Sequence, residues 1–204
     1  HPDYLKKFPT GTIPSFEDPE TGFVLSESHA IMCYLCNKYN WSDFYPADLE
    51  DRAKVDSYLH LHHRNIREAS IGLVAPKVRK DLNFTEDFLA TSISNIEKSF
   101  KAIEYGWLND SRFLVGDSMT IADISAYVEI GQLQDIFTNV YNFESFPNIQ
   151  KWLNEMRNVD CHDVIHVALY ELGDISAEAP TMEKIINANK KAFQVIQEKL
   201  NQIK

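Results

Sequence analysis

The chain has 204 residues, 44% of them apolar and 12% aromatic, which fills one large or two small globular cores and excludes a disulfide-stapled miniprotein or a disordered chain. Lys and Arg number 20 and Asp and Glu 30, so the net charge of −10 disfavours nucleic acid as the main partner. No apolar run reaches the roughly 20 residues of a membrane span, and three cysteines are too few for a disulfide framework, which predicts a soluble chain from the cytoplasm or another reducing intracellular compartment.

The first 40 residues predict a mixed unit of helix and strand. Its predicted elements are a helix end over residues 3–8, a β-hairpin of residues 12–17 and 23–25, and a helix over residues 26–39. Pro9 stops the first helix, because the residue before a proline is pushed away from helical dihedrals. Pro14 cannot donate to a sheet ladder, so it belongs at an edge, at a strand's first residue or at a special turn. Ser26 or Ser28 is placed as the N-cap of the helix that follows.

Residues 41–49 mix turn formers with large aromatics and predict a linker, so we place the domain boundary there. The remainder, residues 50–204, predicts helix throughout. The predicted helices cover residues 50–80, the stripe Leu89–Trp107, a segment from Thr120, a segment from Pro147, residues 161–172 and residues 180–204. In the first of them, Pro76 should kink or interrupt the helix unless it begins a new one.

Three of these helical segments carry specific expectations. Leu89, Ile93, Ile96, Phe100, Ile103 and Trp107 step by four and three residues, which predicts one buried stripe. Thr120 and Asp123 have the spacing of a capping box, a structural N-cap without direct effect on chemistry. The last helix, 180–204, has an apolar face that has to be buried against something, as a lid over a substrate pocket or against a partner.

The two cysteines Cys33 and Cys36 have the spacing of a redox or zinc motif. Both would lie well inside a helix, away from the N-terminus that favours a thiolate, and no second such pair completes a zinc site. We therefore expect them to be packing residues, and no metal is expected in this chain.

Four motifs follow one another in an informative order. They are Gly11-Thr12-Ile13-Pro14, Leu25-Ser26-Glu27-Ser28-His29-Ala30-Ile31, Phe113-Leu114-Val115-Gly116-Asp117 running into Thr120-Ile121-Ala122-Asp123, and Phe146-Pro147-Asn148-Ile149 with Trp152. In this order and spacing, residues 1–172 resemble the cytosolic glutathione S-transferase superfamily, and the segment His62–Arg67 leans toward theta-like members. The resemblance implies an α+β/α fold: the C-terminal part of a thioredoxin-like domain (1–40), a linker (41–49) and an all-helical domain with an extra C-terminal helix (50–204).

The resemblance also implies where glutathione binds. Pro14 would follow a cis peptide bond, and Ile13 would offer its backbone N–H and C=O to the cysteinyl backbone of glutathione. Glu27 and Ser28 would hold the γ-glutamyl end, since a helix N-terminus suits a carboxylate and Glu27 is a counter-charge for the amine. Thr12 belongs to the same site, but it stands where many relatives have a longer Lys, Gln or His.

Relatives begin with a strand, a helix and a strand before the segment that starts here, about 35–40 residues at ordinary element lengths. The Ser, Tyr or Cys that activates the glutathione thiol lies in that part of the family pattern. The catalytic residue is therefore unknown and expected upstream of residue 1.

His60, His62, His63, Arg64 and Arg67 form a basic cluster on the first long predicted helix of the helical domain. His63 and Arg67 are one helical turn apart and share a face. Three interpretations remain open: a polar face or subunit contact, a wall of the second-substrate pocket that contains His63 and Arg67, and a metal site, which no carboxylate at ligand spacing supports.

Two functions from different classes remain. The first is a glutathione transferase that conjugates the thiol of glutathione, as co-substrate, to a hydrophobic electrophile, and the resemblance implies a homodimer. The alternative is a non-catalytic, transferase-like subunit of a larger assembly, which Thr12 and the C-terminal helix favour.

Overall fold

The computed structural model describes residues 1–63 and 65–203. These residues form a two-stranded sheet and ten α-helices. The strands are β1 (Ser15–Glu17) and β2 (Val24–Ser26), and the helices are α1 (Pro2–Lys7), α2 (Ser28–Tyr39), α3 (Leu49–His62), α4 (Ala75–Val78), α5 (Glu86–Ala102), α6 (Ile121–Ile130), α7 (Pro147–Arg157), α8 (His162–Ile165), α9 (Val167–Leu172) and α10 (Met182–Ile203). None of the helices in these ranges is long and apolar enough to cross a membrane.

The strands β1 and β2 pair antiparallel, with Ser15 opposite Ser26, which confirms the predicted hairpin. The turn between them is held by Asp18, whose side chain is buried. Its carboxylate accepts hydrogen bonds from Lys38 Nζ at 2.5 Å and Tyr34 Oη at 2.7 Å, both on α2. The Lys38 ammonium, followed by the Tyr34 hydroxyl, lowers the pKa of Asp18 to about 2. The hairpin is thus fastened to α2 at physiological pH.

The predicted N-cap of α2 is wrong in position. The N-cap is Glu27, which has a φ of 76° and makes no side-chain capping bond, while Ser28 is the first helical residue. Ser26 is the last residue of β2, where its hydroxyl lies 3.1 Å from that of Ser15. Because Ser26 still belongs to the strand and Ser28 to the helix, the chain changes direction at Glu27 alone. The backbone of Glu27 therefore adopts a positive φ, which non-glycine residues seldom have.

Helix α3 ends at His62, so the helix predicted from residue 50 up to Pro76 is wrong in extent, whereas the alternative that a new helix begins at Pro76 is confirmed by α4. After turns the chain forms a π-helical turn, Ser70–Val74, and then α4, in whose first turn Pro76 is accommodated. Gly72 explains the close approach of this segment to α5, because a Cβ on Gly72 would lie 2.6 Å from Ser92 Cβ. We infer that the packing of the Ser70–Val74 segment against α5, and not the helical periodicity of residues 50–80, determines the backbone conformation there.

Helix α5 buries Ser92, Ile96, Ser99 and Phe100 and continues into a second π-helical turn, Ile103–Trp107. The predicted stripe is correct for Ile96, Phe100 and Ile103. It is wrong for Ile93, which is 48% exposed, because the buried face is shifted toward Ser92, which meets Gly72. Leu89 and Trp107 are half-buried.

The start of α6 confirms the predicted capping box of Thr120 and Asp123. The Asp123 carboxylate accepts from the Thr120 backbone N–H at 2.9 Å and also from Trp152 Nε1 of α7 at 3.0 Å. It therefore joins α6 to α7, whose predicted apolar face Ile149, Trp152, Leu153 and Met156 is buried.

The C-terminal segment differs from expectation in its division into helices. Residues 161–172 form two short helices, α8 and α9, instead of one. Helix α10 packs on α9 and α8 through the small residues Ala188 and Ala192, while several of its large apolar side chains, such as Phe193 at 68% exposure, face outward. The other described residues therefore leave much of this apolar face uncovered, and its burial against a partner stays a prediction.

Candidate functional site

A cleft of about 310 Å³ opens between the N-terminal segment and the helices α3 and α6. Its lining residues come from three stretches of the chain that are far apart in sequence. They are Ile13, Pro14, Glu27, Ser28, His29, Met32, His62, His63, Arg67, Ile124, Ser125, Val128 and Glu129. We refer to this space as the cleft.

One edge of the cleft is the peptide between Ile13 and Pro14, which is cis, as the resemblance implies. The preceding carbonyl, that of Thr12, accepts hydrogen bonds from Tyr4 Oη at 2.5 Å and Ser15 Oγ at 3.0 Å. These bonds fix the loop in front of β1. Ile13 is 87% exposed, so the bend in front of β1 presents its backbone to solvent beside the cleft.

The first turn of α2 forms the adjoining wall. Glu27 and Ser28 both line the cleft, and the N-terminal backbone N–H groups of α2 begin there. The partial positive charge of a helix N-terminus together with a hydroxyl favours a carboxylate, and Glu27 adds a negative charge beside it. Thr12 is not among the lining residues, and its hydroxyl lies 3.0 Å from that of Thr10. The structure thus brings four of the five predicted glutathione-site residues to one cleft.

Hydrogen bonds connect this wall to the helical part of the chain. His29 Nε2 lies 2.6 Å from Ser125 Oγ on α6, and Ser125 Oγ lies 3.2 Å from His62 Nδ1 on α3. His62 Nε2 is 3.9 Å from Glu129 Oε1, one turn after Ser125 on α6. We call His29, Ser125, His62 and Glu129 the polar chain of the cleft.

Glu129 is the charged end of the polar chain. It is 2% exposed, yet Arg67 Nη1 lies 2.5 Å from its Oε1, and the Ser70 hydroxyl donates to Oε2. Burial alone would raise its pKa, but hydrogen bonding by His62, Ser70 and Arg67 outweighs burial and lowers the pKa below its usual value. Glu129 is therefore ionised and can only accept hydrogen bonds.

His63 and Arg67 both line the cleft, as the second-substrate interpretation predicts. They do not share a helix face, because α3 ends before His63. His60 is exposed and is not among the lining residues, and Arg64 lies outside the described residues. Within residues 1–63 and 65–203 no group of three or more His, Cys, Asp or Glu side chains is arranged to hold a metal ion.

His29 is held neutral in the cleft. Burial lowers its pKa to about 4, with further contributions from the nearby imidazoles of His62 and His63, and the Leu59 backbone and Glu129 oppose this only weakly. The ring centroids of both neighbouring imidazoles lie 4.8 Å from that of His29. A proton on His29 would therefore be both desolvated and repelled.

This lowered pKa predicts a pH effect on stability. Unfolded His29 takes up a proton near pH 6.5 but the folded form only near pH 4, so the stabilisation is complete above pH 6.5 and lost as the pH falls toward 4. Because the ring is partly exposed, we expect this residue to contribute only about 1 kcal/mol to the loss. Urea denaturation of wild type and His29→Gln at about pH 4.5 and pH 7 measures it, and equal losses in both proteins would contradict the assignment.

Sequence reasoning missed His29, Ser125 and Glu129 as site residues. A local signal existed for the last two, since Ser125 and Glu129 are one helical turn apart on α6 and so share a face. Nothing local links them to His29, which is 96 residues away from Ser125 in the chain.

The cysteines take no part in the cleft. Cys36 is buried and Cys33 is half-buried on α2, both are free thiols, and burial raises the pKa of each. A raised thiol pKa makes them poor nucleophiles, as the packing interpretation predicts. Cys161 is also free and is exposed.

The fold and the cleft define a helical protein with a small thioredoxin-like N-terminal part, and known proteins have the same fold. The protein-family model of the glutathione S-transferase N-terminal domain matches residues 1–38. The family model of the glutathione S-transferase C-terminal domain matches residues 69–160. Among curated relatives, glutathione S-transferase theta-1 of Rattus norvegicus is 30% identical over 169 residues, which cover 77% of this chain and 69% of that protein. The theta-1 enzyme of Gallus gallus is 34% identical over 146 residues.

The chain belongs to the glutathione S-transferase family and is theta-like. The match to the Gallus gallus protein covers 69% of this chain and 54% of that protein. The structure of human glutathione transferase theta-2 in complex with glutathione and an unknown ligand superposes with a TM-score of 0.70 at 22% identity, covering 96% of this chain and 83% of that one. This likeness shows that the chain has the glutathione transferase fold.

Proposed function

We propose that the cleft binds glutathione and that the protein conjugates its thiol to hydrophobic electrophiles. One observation carries the proposal: the cis Ile13–Pro14 edge and the N-terminus of α2 face the same cleft as the half-apolar wall of α6. The first two features suit a small peptide with a charged end, and the third suits an apolar reactant. The names of the theta-1 relatives support conjugation over a non-catalytic subunit.

The peptide edge is assigned to the cysteinyl part of glutathione. An extended backbone segment offers its N–H and C=O to another extended peptide in the manner of strand addition. A proline at the end of that segment prevents further pairing, because it has no N–H. Ile13 would thus bind one residue of the ligand and place its thiol above the cleft.

The γ-glutamyl end is assigned to the first turn of α2. Its carboxylate would accept from Ser28 and from the helix N-terminal amides, and its ammonium group would pair with Glu27. Glu27 and Ser28 line the same cleft as Ile13 and Pro14. The positions are consistent with a ligand that spans from α2 to β1.

The electrophile side is assigned to the opposite wall. Ile124 and Val128 of α6 supply apolar surface, and His63 and Arg67 supply polar groups. Met32, one turn after Ser28 on α2, adds apolar surface from the side of the glutathione wall. Holding the two reactants on facing walls raises the local concentration of one against the other. In the reaction the thiol proton is released to solvent, and the thiolate sulfur forms a bond to the electrophilic carbon while the bond from that carbon to its leaving group breaks; the leaving group departs with the electron pair.

We assign binding and orientation to residues of this chain. The group that stabilises the thiolate stays a prediction: a Ser, Tyr or Cys before His1 in the family pattern. The homodimer, the larger assembly and the reducing compartment are proposals as well, and three free thiols support the last.

Removal of the Ser28 hydroxyl tests the site. We expect Ser28→Ala to weaken glutathione binding by about 10-fold or more, because a hydrogen bond to a charged group contributes about 1.5–3 kcal/mol. Glu27→Gln is expected to act in the same direction. Isothermal titration calorimetry of the full-length protein measures both dissociation constants.

Ser42→Ala is the matched control, since Ser42 is exposed and does not line the cleft. It is expected to bind like wild type. Wild-type protein that fails to bind at millimolar glutathione would overturn the proposed function. Retention on a glutathione column with turnover of a generic electrophile would exclude the non-catalytic alternative.

A further inference from the structure

His29 follows directly on the two residues assigned to the γ-glutamyl group, yet its side chain turns to the helical part of the molecule. Among the described residues, the His29–Ser125 contact at 2.6 Å is the one side-chain hydrogen bond between α2 and α6. We propose that His29 is a positioning residue, which holds the glutathione wall at a set distance from the electrophile wall. The role rests on the proposed function, and its structural part is tested separately below.

The backbone beside His29 needs such support. Glu27 has a φ of 76° and no side-chain capping bond, so the turn that presents Glu27 and Ser28 is conformationally costly. A contact one residue beyond that turn, anchored in another helix, opposes its relaxation. Loss of the contact would therefore loosen the residues that hold the ligand before it affected the rest of α2.

The direction of the hydrogen bonds follows from the charged end of the polar chain. Ionised Glu129 favours a proton on the facing His62 Nε2, 3.9 Å away, so a neutral His62 has a bare Nδ1. That Nδ1 has two hydroxyl partners, Ser125 Oγ at 3.2 Å and the more distant Tyr58 Oη at 3.4 Å. When Ser125, the nearer of the two, donates to Nδ1, its oxygen is free to accept from His29 Nε2–H, and Glu129 acts through this relay to favour the Nε2–H tautomer of His29.

The state of His29 Nδ1 agrees with this assignment. The atom is buried and has no partner within hydrogen-bond geometry, while the nearby Leu59 backbone acts against the lowering of the ring's pKa by burial. An Nδ1–H there would be a buried donor without a partner, and it would reverse the contact with Ser125, whose hydroxyl would then donate to a bare His29 Nε2 and could no longer donate to His62. With Nε2–H on His29, the polar chain runs from His29 through Ser125 and His62 toward Glu129.

Three variants test the positioning role. His29→Phe removes the donor and keeps a ring, His29→Gln keeps an N–H near the position of Nε2, and Ser125→Ala removes the acceptor. We expect His29→Phe and Ser125→Ala each to raise the dissociation constant of glutathione about three- to tenfold. His29→Gln should recover most of the affinity, and the His29→Phe/Ser125→Ala double variant should be no weaker than either single variant.

The control is His60→Phe, because His60 is exposed and lies outside the cleft. We expect it to bind glutathione like wild type. His29→Phe within twofold of wild type, or a His29→Gln variant as weak as His29→Phe, would overturn the role. Melting temperatures of all variants separate a local loosening from general unfolding.

Imidazole nitrogen shifts in NMR spectra test the tautomer without any activity. We expect the Nε2–H form of His29 in wild type, and a mixture of tautomers in Ser125→Ala, where Glu129 no longer acts through the hydroxyl. An Nδ1–H form in wild type would refute the polar chain. If wild type shows the Nε2–H form of His29 but does not bind glutathione, the proposed function is wrong, while the hydrogen-bond arrangement of the polar chain is confirmed.

Discussion

We expect Asp123→Ala to lower the free energy of unfolding by about 3–5 kcal/mol, because it leaves several buried donors without an acceptor. The carboxylate is completely buried and accepts from the backbone N–H groups of Leu114 and Thr120, from the Thr120 hydroxyl and from Trp152 Nε1, all within 3.0 Å. Burial raises the pKa of Asp123, and these hydrogen bonds oppose that rise. The substitution removes the hydrogen bonds that connect the start of α6 to Trp152 of α7.

Urea denaturation followed by circular dichroism measures the change. Asp117→Ala is the control, since Asp117 is exposed six residues earlier and should change stability by no more than about 0.5 kcal/mol. Thr120→Ala removes only the cap and is expected to cost about 1 kcal/mol. An Asp123→Ala variant as stable as Asp117→Ala would contradict the role assigned to the carboxylate.

The second large effect is expected at Glu104, in the π-helical turn after α5. Its buried carboxylate accepts from the backbone N–H groups of Asn148 and Ile149 at 3.0 and 2.9 Å, and so caps the first turn of α7 from another part of the chain. Glu104→Ala leaves two helix N–H groups unpaired in the interior, which we expect to cost about 2–4 kcal/mol.

Glu104→Gln keeps one acceptor oxygen and is expected to lose less than Glu104→Ala. The exposed Glu144 provides the control variant Glu144→Ala, and the same denaturation experiment compares all three. Equal stability of Glu104→Ala and Glu144→Ala would show that the carboxylate does not cap α7.

Elements with local signals were predictable from the sequence. The hairpin follows from its turn residues, and the starts of α6 and α7 follow from a capping box and from Pro147. The end of α3 and the two π-helical turns were not predictable, since the packing of Gly72 against Ser92 is a contact between distant segments. The outward apolar face of α10 is another tertiary property, because its small residues decide which side packs.

The site also contains residues that could be predicted from the sequence and residues that could not. The resemblance located Ile13, Pro14, Glu27 and Ser28, and the structure places them in one cleft. The polar chain was not predictable, because it depends on the docking of α2 against α3 and α6. The division into domains at residues 41–49 stays a prediction.

The wide separation of the cleft residues has a consequence for how the protein is assembled. The hydrogen bond between His29 and Ser125 closes a loop of 96 residues, so neither the first 40 residues nor the helical part contains a complete cleft. Glutathione and an electrophile that are held together on the two walls bind only chains that have closed this loop. By mass action, the two ligands together would then stabilise the finished fold over every partly folded form.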